Sequence, residues 1–305
     1  MTGSPIRWFF GRTWLFFGTL CVLLLLTVAG TTTFLAAHAA GAQAAATALA
    51  STRSYYESTT DSATLYSQGC SAARGPAGVV VLDFGEPWYS GGYGTIDFAS
   101  HFDSDTAILH AAANFALGAW RCRRSHFLTV AIGTSNHGGY VSYNAGVAWG
   151  NMVNRVEGYI RHNNYNSSVG ADGAIDAETE WNSFAATSSF VKGYNHANQK
   201  RWLWDYGDDT PGYWSDSQVW YVSYGAGNER LLPEIYYNAD ATQDWAMVVR
   251  WACSTGRHMR FEGVMAEAVS GTNSPAAAFN ALYTAIGTNA CTRADRSSMT
   301  RATLI

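Results

Sequence analysis

The feature that most constrains this chain is an alternation of two hydrophobic periods. Between Gly69 and Asn289, apolar runs of strand length recur at 79–84, 127–132, 169–177, 219–224, 232–237 and 259–265. Helical patterns fall between them, at 107–120, 145–161, 183–196, 242–253 and 275–286. The last is opened by Ser274 as a cap and Pro275 at the first helical position. Strands alternating with helices predict an α/β fold with a parallel sheet and helices outside it. Val79-Val80-Val81-Leu82 is apolar on both faces, as a strand buried between layers must be.

A doubly wound open sheet and a (β/α)8 barrel both satisfy this pattern, and the placement of polar residues separates them. An open nucleotide-binding sheet carries a Gly-rich phosphate loop after its first strand. Here that position reads Asp83-Phe84-Gly85-Glu86-Pro87-Trp88. In a barrel, polar residues gather at the C-terminal ends of many strands. Asp83, Asn136 with His137, Asp176 with Glu178, Asn238 with Asp240, and Glu267 each follow or end a strand run. The expected fold is an irregular (β/α)8 TIM-like barrel over 69–291, irregular because six strands are visible and the link between the fourth and fifth is too short for a helix.

The N-terminus carries a different signal. Arg7 and Arg12 precede an uncharged stretch from Trp14 built around Leu23-Leu24-Leu25-Leu26, followed by Ala37-His38-Ala39 and Ala42-Gln43-Ala44. This pattern predicts a signal peptide or signal anchor over 1–39, with the remainder translocated. Residues 40–68 read as an Ala/Ser/Thr-rich tether, and 292–305 as a C-terminal tail. Outside Cys21 there remain Cys70, Cys122, Cys253 and Cys291, an even set for an oxidising compartment. Of the three possible pairings, Cys70–Cys122 and Cys253–Cys291 are expected, since each closes a loop within one half of the domain.

Composition removes other classes. The net charge is −4 and the only lysines are Lys192 and Lys200, so no nucleic-acid surface is expected. Arg121, Arg123 and Arg124 read as a solvated helix end. No Gly-x-Ser-x-Gly elbow or His-Glu-x-x-His set is present, and Asp208-Asp209 and Asp103-Ser104-Asp105 read as turns. No cofactor or metal is expected, and membrane contact is expected only through the N-terminal segment.

The segment from Val169 to Trp181 is the richest in chemistry. On a strand, Asp172, Ala174, Asp176 and Glu178 share one face, and acids two apart lie roughly 6–7 Å apart along the backbone. At that range one charge disfavours the other and keeps one carboxyl protonated. Glycoside hydrolysis needs that asymmetry, with one acid for the leaving oxygen and one carboxylate for water or the sugar.

Asp176-Ala177-Glu178 at the end of an apolar strand is similar to the D-x-E motif of the Chalaropsis-type muramidases, bacterial and phage barrels that cleave peptidoglycan. Asp83 matches the acid at the end of their first strand, and Ile235-Tyr236-Tyr237-Asn238 resembles a late strand of theirs. Val-Leu-Asp stands where those proteins open with Gly-Ile-Asp. The same acidic segment resembles the D-G-x-D-x-D-x-E motif of chitinase-type barrels, with Ala174 where the middle acid stands.

The resemblance implies that Glu178 is the general acid, that Asp176 orients substrate or acts as base, and that Asp83 and Glu267 complete an acidic floor. Sugar-facing aromatics and amides are expected at Trp88, Tyr93, Asn136, Trp181, Tyr237 and Asn238. Trp120, Trp149, Trp245 and Trp251 lie within helical patterns and read as core. The expected function is that of an exported, glycoside hydrolase-like protein acting on cell-wall or related glycan. The alternative is an inactive barrel that binds glycan or a cell-envelope polymer, or serves a structural role.

Overall fold

The computed structural model describes residues 50–123 and 126–305. The expected segment 1–39, Cys21, the first part of the tether and Arg124 lie outside the described residues. Among the described residues, no helix is long and apolar enough to cross a membrane.

The fold is mixed α/β, with parallel strands flanked by helices. In chain order the elements are β1 (Ala50–Arg53), β2 (Tyr55–Tyr56), α1 (Ser62–Ala72), β3 (Gly78–Asp83), β4 (Glu86–Tyr89), β5 (Tyr93–Ile96), β6 (Phe102–Ser104) and α2 (Asp105–Cys122). There follow β7 (Leu128–Ser135), α3 (Tyr143–His162), β8 (Val169–Asp176), α4 (Phe184–Ala197), β9 (Leu203–Asp205), α5 (Asp216–Trp220) and β10 (Glu229–Leu231). The last are α6 (Ala246–Ser254), β11 (Gly263–Ala266), α7 (Pro275–Gly287) and β12 (Arg301–Leu304).

One parallel sheet runs β2-β3-β7-β8-β9-β10, and a second runs β1-β12-β11. Backbone hydrogen bonds extend both. Beyond β10 the chain stays extended, with Leu232 N donating to Asp205 O at 2.8 Å on one side. On the other side Met265 N donates to Pro233 O at 2.8 Å, and parallel bridges join Leu231 to Phe261 and Glu234 to Met265. Pro233 has no N–H to donate, which is why the run expected as a strand over 232–237 is only partly laddered. At the other edge, Thr52 of β1 sits against Gly78 of β3, and Val81 N donates to Ser54 Oγ at 2.8 Å.

The apolar residues sort by period two. Val79, Val81, Ala131, Ala174, Trp204, Tyr206, Leu232 and Met265 form one buried cluster on one side of the parallel strands. Val80, Leu82, Val130 and Ile132 face the helices and join a larger cluster with α2, α3 and α4. Both faces of these strands are therefore apolar, as the sequence required. Trp149 and Trp245 are core, as expected, while Trp120 and Trp251 are partly buried.

Several sequence expectations are corrected. Residues 219–224 are not a strand: they belong to α5 and to a π-helical turn, Tyr221–Gly225. A short aromatic and β-branched run fits strand or helix equally, and the capping box of Ser215 with Gln218 sets it helical. β1, β2 and most of α1 lie in the stretch read as a tether, and β12 in the stretch read as a tail. The three strands are short and gain their partners only from distant chain: Ala50 lies opposite Arg301. The segment after β3 forms an antiparallel sheet, β4-β5-β6, with Ser90-Gly91-Gly92 as the bend between its first two strands. Asp103-Ser104-Asp105 is no turn either, because Ser104 caps α2 by accepting from Ala107 N.

Cys70–Cys122 and Cys253–Cys291 are both bonded, with Cα–Cα distances of 4.9 and 6.1 Å. The first staples the end of α1 to the end of α2 and closes 52 residues of sequence. Replacing both Cys70 and Cys122 by Ser is expected to lower stability by about 4 kcal/mol on the chain-entropy scale, read by denaturant titration.

Small residues let the helices meet closely. A Cβ built on Gly69 of α1 would lie 2.0 Å from Phe115 O, and one on Gly118 of α2 2.1 Å from Tyr66 O. The same reciprocal contact joins α3 and α4, where Gly146 faces Phe190 O and Gly193 faces Tyr143 O, both at 2.0 Å. Gly146→Ala is expected to cost about 1–3 kcal/mol by overpacking, visible as a lowered Tm, because backbone rather than a movable side chain stands in the way.

Candidate functional site

The C-terminal ends of the parallel strands bring together buried carboxylates from segments far apart in sequence. Asp83 is the last residue of β3 and Asp176 the last of β8, with Glu178 two residues on. Glu234 comes from the extended chain after β10 and is 4% exposed, beside 3% for Asp176 and 9% for Glu178. One carboxylate oxygen from each of Asp176, Glu178 and Glu234 lies within 4.8 Å of the others.

Local chemistry fixes these positions. Asn136, just beyond β7, is fully buried and clamps the backbone of Glu178: its Nδ2 donates to Glu178 O at 2.8 Å, and Glu178 N donates to its Oδ1 at 3.2 Å. Asn136 N in turn donates to Asp176 O at 2.9 Å. Asn136, expected to touch sugar, is thus a positioning residue for the acidic strand end. Gly85, at φ +88°, lets the chain turn back after β3 so that its N–H donates to Asp83 Oδ1 at 2.8 Å. Tyr236 OH donates to Glu234 Oε1.

Several oxygens here have no partner. Asp83 Oδ2, Asp176 Oδ1, Asp205 Oδ2 and Tyr206 OH are buried without a hydrogen bond. Burial, reinforced by Glu234 and Glu178, holds Asp176 well above the usual carboxylate range, and burial with Glu178 does the same for Glu234. Burial and the nearby Asp208 push Glu178 up to about 8. Burial pushes Asp83 up to about 7. The direction is uniform, so the cluster holds protons at neutral pH.

A cleft of about 370 Å³ reaches this cluster at Asp83 and Asp176, with Glu178 and Glu234 behind its lining. Asp83 and Asp176 lie at its base, with Tyr56, Phe98 and Trp181 among its walls. Glu86 and His137 share its rim, joined through Glu86 Oε2 and His137 Nδ1, and the Trp181 ring stands edge-on to His137 at 5.7 Å. This arrangement can donate a proton, hold a negative charge and stack a flat apolar face. The triad's spacing is also one that a hard divalent cation accepts.

The other expected site residues fall elsewhere. Glu267 is half-buried, and its charge acts on Glu234. Trp88 packs on Tyr140 at 4.7 Å between ring centroids, and Tyr93 on Tyr89 at 5.1 Å, so both support β4-β5 outside the cleft lining. Tyr237 and Asn238 are exposed at the start of a helical turn, where Tyr237 N donates to Asp240 and Asn238 O accepts from Thr242. Asp83 ends the third strand rather than the first, because β1 and β2 precede it.

The sequence reading missed Glu234, Tyr56, Phe98 and Glu86. Glu234 had a usable signal: a lone acid in the apolar run 232–237, two residues from Leu232 and so on its face. Tyr56 had none, because its strand was not recognisable. No protein-family model matches the chain, and a comparison with curated proteins finds no match.

Proposed function

We propose that this chain is an exported, glycoside hydrolase-like (β/α)8 barrel that acts on cell-wall or related glycan by carboxylate acid/base chemistry. The observation that carries the reading is the triad of Asp176, Glu178 and Glu234, with oxygens within 4.8 Å at the ends of parallel strands beside an aromatic-walled cleft. Barrel closure is supported by a pairing path that returns to its start: β1 to β12, β12 to β11, β11 by bridges to the chain after β10, and onward through β3 to β2, which follows β1. Two disulfides agree with an oxidising compartment.

Glu178 is the general acid, since it is held protonated near neutral pH and is the least enclosed of the three. Asp176, which lines the cleft, is the carboxyl that must lose its proton in the reacting form, with Glu234 beside it. Their close spacing supports a retaining outcome, because inverting enzymes separate their carboxyl groups by about 6.5–9.5 Å to admit a water.

The reading is tested by incubating the protein with peptidoglycan and with chitin-type oligosaccharides, and following reducing ends and product anomers by NMR. Release of reducing ends with net retention, unchanged by EDTA, is expected. Loss of activity on chelation would replace the acid/base reading with a metal-dependent one. Affinity for these glycans without any cleavage would leave a binding barrel.

A further inference from the structure

A second cavity, of about 360 Å³, opens at the opposite, N-terminal ends of the parallel strands. Its mouth gathers Lys200, Arg201, Arg230 and Arg301, in a chain with only 19 cationic side chains and a net charge of −4. We propose that this cavity is a binding site for a small organic phosphate, independent of the acidic cleft at the other end.

The charges within it do not cancel. Arg201 is paired with Glu157 at 3.0 Å, and Arg230 lies 3.7 Å from Glu262. Asp172, which lines the cavity with Glu262, accepts on both oxygens, from Trp202 N at 3.2 Å and Trp204 Nε1 at 3.0 Å. Among the described residues, Lys200 and Arg301 have no carboxylate within ion-pair distance. Four cations against Glu157, Glu262 and Asp172 leave this concave site net positive, which suits an anionic phosphate ester.

The arginines are held in place. The Arg230 guanidinium lies over the Trp202 ring, 3.4 Å from its centroid, and the Arg301 guanidinium is 5.8 Å from the Trp204 centroid. A guanidinium backed by an aromatic face keeps its N–H edge directed outward and loses little freedom on binding a phosphate oxygen. Phe127 is 46% exposed and lines the same cavity, giving an apolar surface for the organic part of the ligand. The volume falls in the range of small-ligand pockets.

Calorimetric titration with phenyl phosphate, inorganic phosphate and phenol tests this. Phenyl phosphate is expected to bind saturably at about 1 mM or tighter, with inorganic phosphate weaker and phenol weakest. Arg301→Gln is expected to weaken phenyl phosphate at least tenfold, and Lys200→Ala severalfold. Glu178→Gln is expected to change nothing, which separates this site from the acidic cleft. Absence of saturable binding in the wild type, or phenol binding as tightly as phenyl phosphate, overturns the proposal. So does unchanged affinity in Arg301→Gln with retained Tm. Should that variant not fold, Lys200→Ala on its exposed side chain decides alone, and unchanged affinity there is equally fatal.

Discussion

Glu178→Gln is expected to slow glycan cleavage by about 10²–10⁴-fold, the range a positioned general acid supplies. The amide keeps the shape of the side chain but has no proton to give to the leaving oxygen. Folding should survive, because the backbone of Glu178 is held by Asn136 and not by its own carboxyl group. The variant should also gain stability above about pH 8, where Glu178 would otherwise ionise beside Glu234. Initial rates on the glycan that the wild type cleaves, together with a melting curve, measure both effects. If the amide variant cleaves at the wild-type rate, Glu178 is not the acid. By contrast, Asn136→Ala should lower the rate through misplacement of Glu178 and should also lower Tm, because it unties a buried backbone clamp.

Stability is expected to fall steadily as pH rises from about 4 to about 8. The direction follows from the buried acids. Folded Asp83 and Glu178 are pushed up to about 7 and about 8, and Asp176 and Glu234 are held well above the ordinary range, chiefly by burial. In the unfolded chain these groups titrate near 4. Between the two values the folded state binds more protons, so stability falls as pH rises. Below about pH 4 both states are protonated and the full stability is present. Glu57 and Asp209, both raised to about 7 mainly by burial, act with the same sign. A series of melting curves across this range should show Tm declining, and Asp176→Asn should flatten the decline while raising Tm at pH 8. A Tm that rises between pH 5 and pH 8 would mean that these acids are ionised in the folded state, and would overturn the assignment of Glu178 as a group protonated near neutral pH.

The legible parts of the fold were those in which sequence-local physics decides. The strands β3, β7 and β8 carry unbroken apolar runs because both of their faces are buried, and α2, α3, α4 and α7 carry long helical periods with Ser caps at Ser104, Ser142, Ser183 and Ser274. Asp176 and Glu178 could be placed on one face from period two alone. Both disulfides followed from the parity of four cysteines and the shorter loops. In contrast, β1, β9 and β12 are three or four residues long and have no periodicity to read. They are strands because neighbours supply their hydrogen bonds, as where Ser54 N donates to Leu304 O across 250 residues of chain.

The candidate site divides along the same line. The sequence by itself determined an α/β chain with parallel strands, the acids at their C-terminal ends and two of the three members of the triad. Only the tertiary structure brought Glu234 to Asp176 and Glu178, enclosed Tyr56 and Trp181 around one cleft, and sent Trp88, Tyr93, Tyr237 and Asn238 elsewhere. The reason is physical. Residue type and period fix which way a side chain points from its own strand, but the distance between carboxylates on different strands depends on which strands become neighbours. That choice is made by the packing of distant segments and leaves no local trace.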